Sequence, residues 1–162
     1  MRILWGISLL ALPLMAVADA EDYPRTASLK SNEVNVRAGP GVRYPILWVF
    51  RRDDWPVQLL AKYDNWYKIR DLEGEEGWVY IGLVQGRPTA VVNTPITMYA
   101  DKAQERPVYR LESGVVVQLP QSTCGAALCA IEVRGRDGYV PTKDLAYFSE
   151  AEVAETTSPT TP

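Results

Sequence analysis

Short apolar runs separated by turn residues fill the stretch from Val34 to Val79 and limit what this chain can fold into. The stretch opens with Val34-Asn35-Val36-Arg37-Ala38-Gly39-Pro40-Gly41 and closes with Gly77-Trp78-Val79. Its first residues alternate between apolar and polar, which is the period of a half-buried strand. The Gly-Pro-Gly that follows ends the strand, because glycine permits positive φ and proline lacks an amide donor. The spacing predicts a small closed all-β unit rather than an enzyme core.

The other strand candidates of this stretch are equally short and lie between turn residues. They are Ile46–Phe50, Val57–Leu60, Trp66–Arg70 and Gly77–Ile81. The last two flank a polar turn that contains Gly74, so they are predicted to form a hairpin. The preceding residues Glu21–Lys30 are polar, and we expect them to be an extended lead-in.

A second set of runs repeats this plan further along the chain. Four anchors correspond: Ile96–Ala100 to Val34–Ala38, Ser113–Leu119 to Asp54–Leu59, Leu128–Glu132 to Trp66–Arg70, and Gly138–Val140 to Gly77–Val79. Trp78 follows Val34 by 44 positions in the first set, and Tyr139 follows Ile96 by 43 positions in the second. This agreement predicts a tandem duplication with two small barrels, at residues 28–90 and 91–148. Because a unit of about 60 residues has a marginal core, we expect the two to pack together.

The two ends of the chain differ from the part between them. Residues 1–20 are typical of an export signal, since Arg2 precedes an uncharged apolar run of 15 residues and Ala18-Asp19-Ala20 fits cleavage after Ala20. Cleavage after Ala18 and an uncleaved membrane anchor are the alternatives. The signal predicts a periplasmic or secreted protein that spans no membrane after cleavage. Residues 149–162 are rich in threonine and proline and are predicted to be disordered.

The charge balance argues against nucleic acid as a partner. The chain has 17 basic and 20 acidic residues and a net charge of −3. Arg51-Arg52 is followed directly by Asp53-Asp54, which cancels the one short basic run. A mildly acidic chain lacks the positive footprint that binds phosphate backbones or anionic membranes.

The two cysteines, Cys124 and Cys129, are predicted to form a disulfide. In an exported chain a nearby pair is more often a structural bridge than a metal site or a redox pair. The Cys-x-x-Cys spacing is absent, and the chain contains no histidine that could complete a zinc site. We therefore expect a bridge that clamps one hairpin.

The motif that opens at Val34 resembles the bacterial SH3 (SH3b) family. The resemblance rests on Val34 to Gly41, on Tyr44-Pro45-Ile46, on Trp66 and Ile69, and on Gly77-Trp78-Val79. The first unit is also similar to exported SH3-like proteins of Gram-negative bacteria, in which two such units follow a signal peptide, and the resemblance covers about residues 28–148. The resemblance implies two small SH3-like β-barrels, an extracytoplasmic location, no known catalysis, and ligands in the cell wall or on cell-envelope proteins.

Catalysis and cofactors are not expected. Without histidine, the Ser-His-Asp and Cys-His arrangements are impossible, and the usual general base is missing as well. A cluster of carboxylates remains: Asp71, Glu73, Glu75 and Glu76. It could serve a glycosidase pair or a calcium ion, but a charged hairpin turn is usually a solvated loop and this one lacks EF-hand spacing.

Aromatic residues give the better binding hypothesis. The first unit has more large rings than a barrel of about 60 residues can bury. If Ile69 faces the core, strand alternation turns Trp66 outward beside Lys68 and Arg70. A tryptophan flanked by cations suits a peptide, a carboxylate-bearing wall stem or a sugar face. The candidate ligand-binding residues are Trp66, Lys68, Arg70, Tyr44, Trp48 and Trp55.

Two alternatives remain open at this point. Trp66 could instead cover a barrel end or the contact between the units, in which case the protein is a structural scaffold or an oligomerisation module. Trp66-Tyr67-Lys68-Ile69 is also similar to the tryptophan strand of proline-peptide-binding SH3 domains, and Gly138-Tyr139-Val140-Pro141 to their Gly-Tyr-x-Pro segment. These two segments lie in different units, so the groove of such domains is incomplete in both.

Overall fold

The computed structural model describes residues 23–120 and 124–148, which form two antiparallel sheets of seven strands each. The first unit comprises β1 (Arg25–Leu29), β2 (Val34–Arg37), β3 (Ile46–Phe50), β4 (Pro56–Tyr63), β5 (Trp66–Arg70), β6 (Glu76–Tyr80) and β7 (Val84–Gln85). The second unit comprises β8 (Thr89–Val92), β9 (Ile96–Tyr99), β10 (Pro107–Leu111), β11 (Val116–Gln118), β12 (Leu128–Val133), β13 (Arg136–Pro141) and β14 (Leu145–Ala146). Single 3₁₀ turns, Ile81–Leu83 and Thr142–Asp144, precede β7 and β14. The predicted all-β fold of two SH3-like units is confirmed.

The two sheets have the same strand order. The first runs β3-β2-β6-β5-β4-β1-β7 and the second β10-β9-β13-β12-β11-β8-β14, so each strand corresponds to the one seven places later. The registers agree as well, because Ile69 pairs with Gly77 in one unit and Ile131 with Gly138 in the other. Leu128 therefore occupies in the second unit the position that Trp66 occupies in the first.

The segment expected to be a lead-in is instead an inner strand, and that prediction is wrong. β1 pairs with β4 on one side and with β7 on the other. Its residues Ala27, Ser28 and Leu29 are buried. These residues become a strand because they pair with strands that are distant in sequence. A short, mostly polar run does not predict such pairing. The first sheet thus begins at Arg25, before the predicted unit boundary at residue 28.

Each unit has its own apolar core. The first consists of Ala27, Leu29, Val34, Val36, Val57, Leu59, Ile69 and Val79. The second consists of Ala90, Val92, Ile96, Met98, Leu111, Val117, Leu119, Cys129, Ile131, Val140 and Leu145. In both, alternate residues of the strands face inward, so burial of these side chains drives the folding of each unit.

Polar contacts join the two units. The Arg52 Nη1 atom donates a hydrogen bond to the Gly114 carbonyl oxygen at 2.9 Å. The Thr89 hydroxyl donates to the Asp54 carbonyl oxygen at 2.7 Å. The units are therefore in contact through the turn before β4, the turn before β11 and the start of β8.

The predicted disulfide between Cys124 and Cys129 is present. Cys129 lies on β12 and is fully buried in the second core. Cys124 faces it across an isolated antiparallel bridge, so the disulfide fixes the segment that enters β12.

Removing this disulfide should lower the stability of the second unit modestly. A bridge over so few residues restricts the unfolded chain only slightly, so we expect the Cys124→Ala/Cys129→Ala variant to lose about 2 kcal/mol of unfolding free energy. Urea denaturation measures the loss, and reduction of the wild-type protein by dithiothreitol should reproduce it. An unchanged midpoint in both experiments would show that the bridge does not stabilise the fold.

Several expectations fall outside the described residues. The export signal at residues 1–20 and the tail at residues 149–162 are among them. Within residues 23–120 and 124–148, no helix has both the length and the apolar character needed to span a bilayer.

Candidate functional site

The outward face of the β5–β6 hairpin carries three of the six predicted ligand-binding residues, Trp66, Lys68 and Arg70. Ile69 and Val79 are fully buried, so their neighbours on each strand point away from the core. Across this face Trp66 pairs with Tyr80, Lys68 with Trp78 and Arg70 with Glu76. The register thus brings one aromatic pair, one lysine–tryptophan pair and one ion pair onto a single surface.

Trp66 and Tyr80 form an aromatic pair at the end of this face. Their ring centroids are 6.0 Å apart and the planes are inclined by 71°, an edge-to-face arrangement that aromatic rings favour. Tyr80 is 48% exposed, and Trp66 is partly exposed. The Tyr80 ring lies close over Gly82, where a side chain would collide with it.

The aromatic pair borders an open cleft of about 420 Å³, which we call the Trp66 cleft. Its walls come from the loop between β2 and β3, the turn between β4 and β5, and the ends of β5 and β6. The lining residues are Pro40, Gly41, Val42, Arg43, Asp64, Asn65, Trp66 and Tyr80. Val42 is 77% exposed, so the cleft presents apolar surface on its loop wall as well as on its aromatic wall.

Arg37 holds the loop wall of the cleft in place. Its Nη1 atom donates hydrogen bonds to the carbonyl oxygens of Val42 at 3.0 Å and Tyr44 at 2.8 Å. The ring of Tyr44 packs against Gly39, where a Cβ atom would lie 2.5 Å from it. Arg37 and Tyr44 therefore shape the loop, and Tyr44 supports the wall from outside the cleft lining.

Lys68 and Arg70 do not present free cations beside Trp66. The Lys68 Nζ atom lies 2.6 Å from one carboxylate oxygen of Glu76, and Arg70 Nη2 lies 2.7 Å from the other. Hydrogen bonds from Lys68 and then Arg70 lower the pKa of Glu76 below its ordinary value. The predicted pairing of these cations with a ligand carboxylate would therefore have to compete with Glu76.

Acidification should destabilise the first unit through Glu76. A carboxyl whose folded pKa is lowered contributes stability above its unfolded pKa, about 4.3, and loses it as the pH falls through the folded value. We expect the melting temperature of the wild type to fall more steeply below pH 4.5 or so than that of Glu76→Gln. Thermal melts from neutral to acidic pH measure this, and parallel curves for the two proteins would contradict it.

Trp48 and Trp55 pack against the core of the first unit and do not line the Trp66 cleft. Both rings pack against the first core, and Trp48 meets Phe50 edge to face at 6.1 Å. Their indole Nε1 atoms are buried and have no hydrogen-bond partner among the described residues. The guanidinium of Arg52, which contacts the second unit, lies 5.6 Å from the Trp55 ring. The structure therefore places these two rings away from the Trp66 cleft.

The acidic turn between β5 and β6 is closed by one of its own carboxylates. An Asp71 side-chain oxygen accepts the backbone N–H groups of Glu73 at 3.1 Å and Glu75 at 2.8 Å. Asp71 is only 6% exposed. Among the residues that the structure describes, no three potential ligands lie together in a metal-binding group.

The second unit has a different surface at the corresponding position. A hollow of about 360 Å³ is lined there by Lys102, Gly125, Leu128, Ala130 and Tyr139. The Lys102 ammonium lies 5.6 Å from the centre of the Tyr139 ring. Leu128 and Ala130 replace Trp66 and Lys68, so this surface has no pair of facing aromatic rings.

Of the eight residues that line the Trp66 cleft, only Trp66 is among the predicted site residues. Tyr80 and Val42 line it, and Arg37 orders its loop. Alternation along β6 puts Tyr80 on the same face as Trp78, which could have identified it. No local pattern predicts the hydrogen bonds of Arg37, since they depend on the path of the loop.

Comparison with known proteins identifies the first unit. Residues 30–86, which include β2 to β6 and the whole lining of the Trp66 cleft, match the family model described as the bacterial SH3 domain. The predicted resemblance is confirmed for this segment. No curated protein sequence matches the chain.

Two solved structures are similar to the chain at low sequence identity. NlpC2 from Trichomonas vaginalis is 16% identical with a TM-score of 0.35, and the match covers 78% of this chain and 49% of that one. NlpC1 from the same organism is 17% identical with a TM-score of 0.35, over 88% of this chain and 52% of that one. The chain thus spans about half the length of each.

Proposed function

We propose that this chain, in which residues 30–86 form a bacterial SH3 domain, is a non-catalytic binding protein of the cell envelope. Its ligand is peptidoglycan or a peptide segment of an envelope partner, and the Trp66 cleft is the site. The observation that carries the proposal is the partly exposed Trp66–Tyr80 pair at the side of an open cleft. Such rings bind peptides and sugar faces by offering large, rigid apolar surface at low entropic cost.

The charges of the cleft favour a ligand that carries both signs. Arg43 and Asp64 line the cleft from two different loops, and Asn65 adds an amide that can donate and accept. A wall stem peptide has free carboxylates and amino groups along an extended backbone, so it can meet both charges. A neutral glycan could use the rings alone, which makes the stem peptide the better match.

The same surface does not offer the groups of a hydrolase. The sequence contains no histidine, and both cysteines are joined in the disulfide. The acidic turn uses Asp71 to close its own backbone. These facts support binding as the activity, and the export signal expected at residues 1–20 would deliver the protein to the periplasm or beyond.

Retention on purified sacculi tests the proposed function. The purified mature chain should sediment with sacculi, and soluble stem-peptide fragments should release it more effectively than peptide-free glycan strands. Release by peptide-free glycan strands alone would show that the protein binds the sugar chain and not the stem peptide. Absence of the protein from both the sacculus pellet and a complex with envelope proteins would refute it.

The structural alternative has specific support of its own. Trp48 and Trp55 pack inward, and the Arg52–Gly114 hydrogen bond joins the units, so part of the aromatic surplus does stabilise the fold. A scaffold would hold its partner through surfaces other than the Trp66 cleft. Retention that survives Trp66→Ala without change would favour this alternative.

A further inference from the structure

We infer that the segment Pro159-Thr160-Thr161-Pro162 of this chain docks in its own Trp66 cleft. The inference rests on the proposed function in one respect, since it takes the Trp66 cleft to be a peptide-binding site. It goes further by naming an occupant that the chain itself carries. The argument combines the chemistry of the segment, the path of the chain out of the second unit, and charge.

The segment has the composition that aromatic grooves recognise. Proline fixes φ near the polyproline II value, and a Pro-x-x-Pro spacing places both prolines on one edge of this three-residue helix. Such helices dock in aromatic-lined grooves at little entropic cost, because they are largely preformed. The cleft offers Trp66 and Tyr80 on one side and the exposed Val42 on the other. Tyr80 here stands at the position that Pro141 occupies in the second unit, and its ring lies beside Trp66 on the aromatic side of the cleft.

The chain leaves the second unit in the direction of the first. β14 runs antiparallel to β8, with Leu145 opposite Val92 and Ala146 opposite Val91. Continuation of that path leads toward Thr89, whose hydroxyl is bonded to the Asp54 carbonyl oxygen of the first unit. The described residues end at 148, two positions beyond Ala146 and therefore near this contact between the units.

The connecting residues are long enough for this docking. Pro159 follows Phe148 by 11 positions, and a chain of that length spans up to about 36–40 Å when extended. A compact unit of about 60 residues has a radius of gyration of roughly 10 Å. The reach therefore exceeds the distance across most of one unit.

Charge complementarity supports the same occupant. Residues 149–162 contain three acidic side chains, Glu150, Glu152 and Glu155, and no basic one. Arg43 at the cleft stacks on Tyr44 with its guanidinium carbon 5.6 Å from the ring centre, and it makes no ion pair with a described residue. With the prolines in the cleft, Glu155 lies four positions away and can approach Arg43.

Docking in the same chain makes the segment a competitor of any external ligand. Tethering of the segment to the cleft by the same chain gives an effective concentration in the millimolar range, so even a weak contact is populated. Removal of the two prolines should then raise the apparent affinity for an external cleft ligand about two- to tenfold, because a larger fraction of the protein has an empty cleft.

The test is the indole N–H resonance of Trp66 in the full-length chain. We expect the resonance, assigned with Trp66→Phe, to shift in Pro159→Ala/Pro162→Ala and to stay in place in the matched control Thr160→Ala/Thr161→Ala. The shift should not depend on protein concentration. A resonance that is identical in all proteins would overturn the inference. A shift that vanishes on dilution of the wild type would place the segment in a second copy and overturn docking within one chain.

Sacculus binding by the same variants separates this inference from the proposed function. An unmoved Trp66 resonance together with Trp66-dependent sacculus binding refutes only the docking of the segment. A proline-dependent resonance together with sacculus binding that does not need Trp66 refutes only the proposed function.

Discussion

Gly138→Ala is expected to destabilise the second unit by about 2 kcal/mol or more, within the range found for overpacked cores. A Cβ atom at this position would lie 2.6 Å from Met98 Cε and 2.7 Å from the Tyr99 carbonyl oxygen. The Met98 side chain is flexible, but the carbonyl belongs to the neighbouring strand β9 and cannot move without disturbing the sheet. The glycine does not have a positive φ, so space rather than backbone freedom requires it.

Gly77 is the equivalent residue of the first unit, and Gly77→Ala should also be destabilising. Its Cβ atom would collide with Val36 Cγ1 in the first core and lie 3.2 Å from the Arg37 carbonyl oxygen. The backbone contact is longer than at Gly138, so we expect a smaller loss, about 1–2 kcal/mol.

Urea denaturation of both variants measures these losses, with Gly86→Ala as the matched control. A Cβ atom at Gly86 meets no atom within 4 Å, and its φ is not positive. The control should therefore be as stable as the wild type. Equal stability of Gly138→Ala and Gly86→Ala would show that β9 and β13 do not approach as closely as described.

Trp66→Ala is expected to weaken binding of a stem-peptide fragment about 30-fold or more, the loss typical of an aromatic hot spot. The fold should survive, because Trp66 is only partly buried and its edge contact with Tyr80 stabilises by about 0.5–1.5 kcal/mol. Isothermal titration calorimetry measures the affinity, and thermal melting checks the fold.

The matched control for this variant is Leu128→Ala. Leu128 holds the position of Trp66 in the second unit, so the same strand position loses an apolar side chain. Its affinity for the fragment should equal that of the wild type. A similar loss of affinity in Trp66→Ala and Leu128→Ala would mean that the fragment does not bind specifically to the first unit.

Much of the fold follows from local pattern. The alternation around Val34, the short runs and the two glycine-aromatic-valine segments predict β2 to β6, their counterparts β9 and β11 to β13, and the repeat of one unit by the other. β1 could not be predicted in this way, because its five residues become a strand only by pairing with β4 and β7, which lie far along the chain.

In the candidate site, too, local pattern predicts some features, and others depend on contacts between residues far apart in the sequence. Strand parity around Ile69 correctly predicts that Trp66, Lys68 and Arg70 face outward. The ion pairs of the two cations depend on the register between β5 and β6, which places Glu76 opposite Arg70. Alternation alone cannot give that register. The contribution of the β2–β3 loop to the cleft, held by Arg37, likewise requires the tertiary structure.

Chemical-shift mapping of a bound stem-peptide fragment tests the central proposal most directly. Titration into the isotope-labelled chain should move the resonances of Val42, Arg43, Trp66 and Tyr80, which surround the Trp66 cleft. Leu128 and Tyr139 of the second unit should remain unaffected. Shifts concentrated at those two residues, or no shifts at saturating fragment, would contradict the assignment of the Trp66 cleft as the binding site.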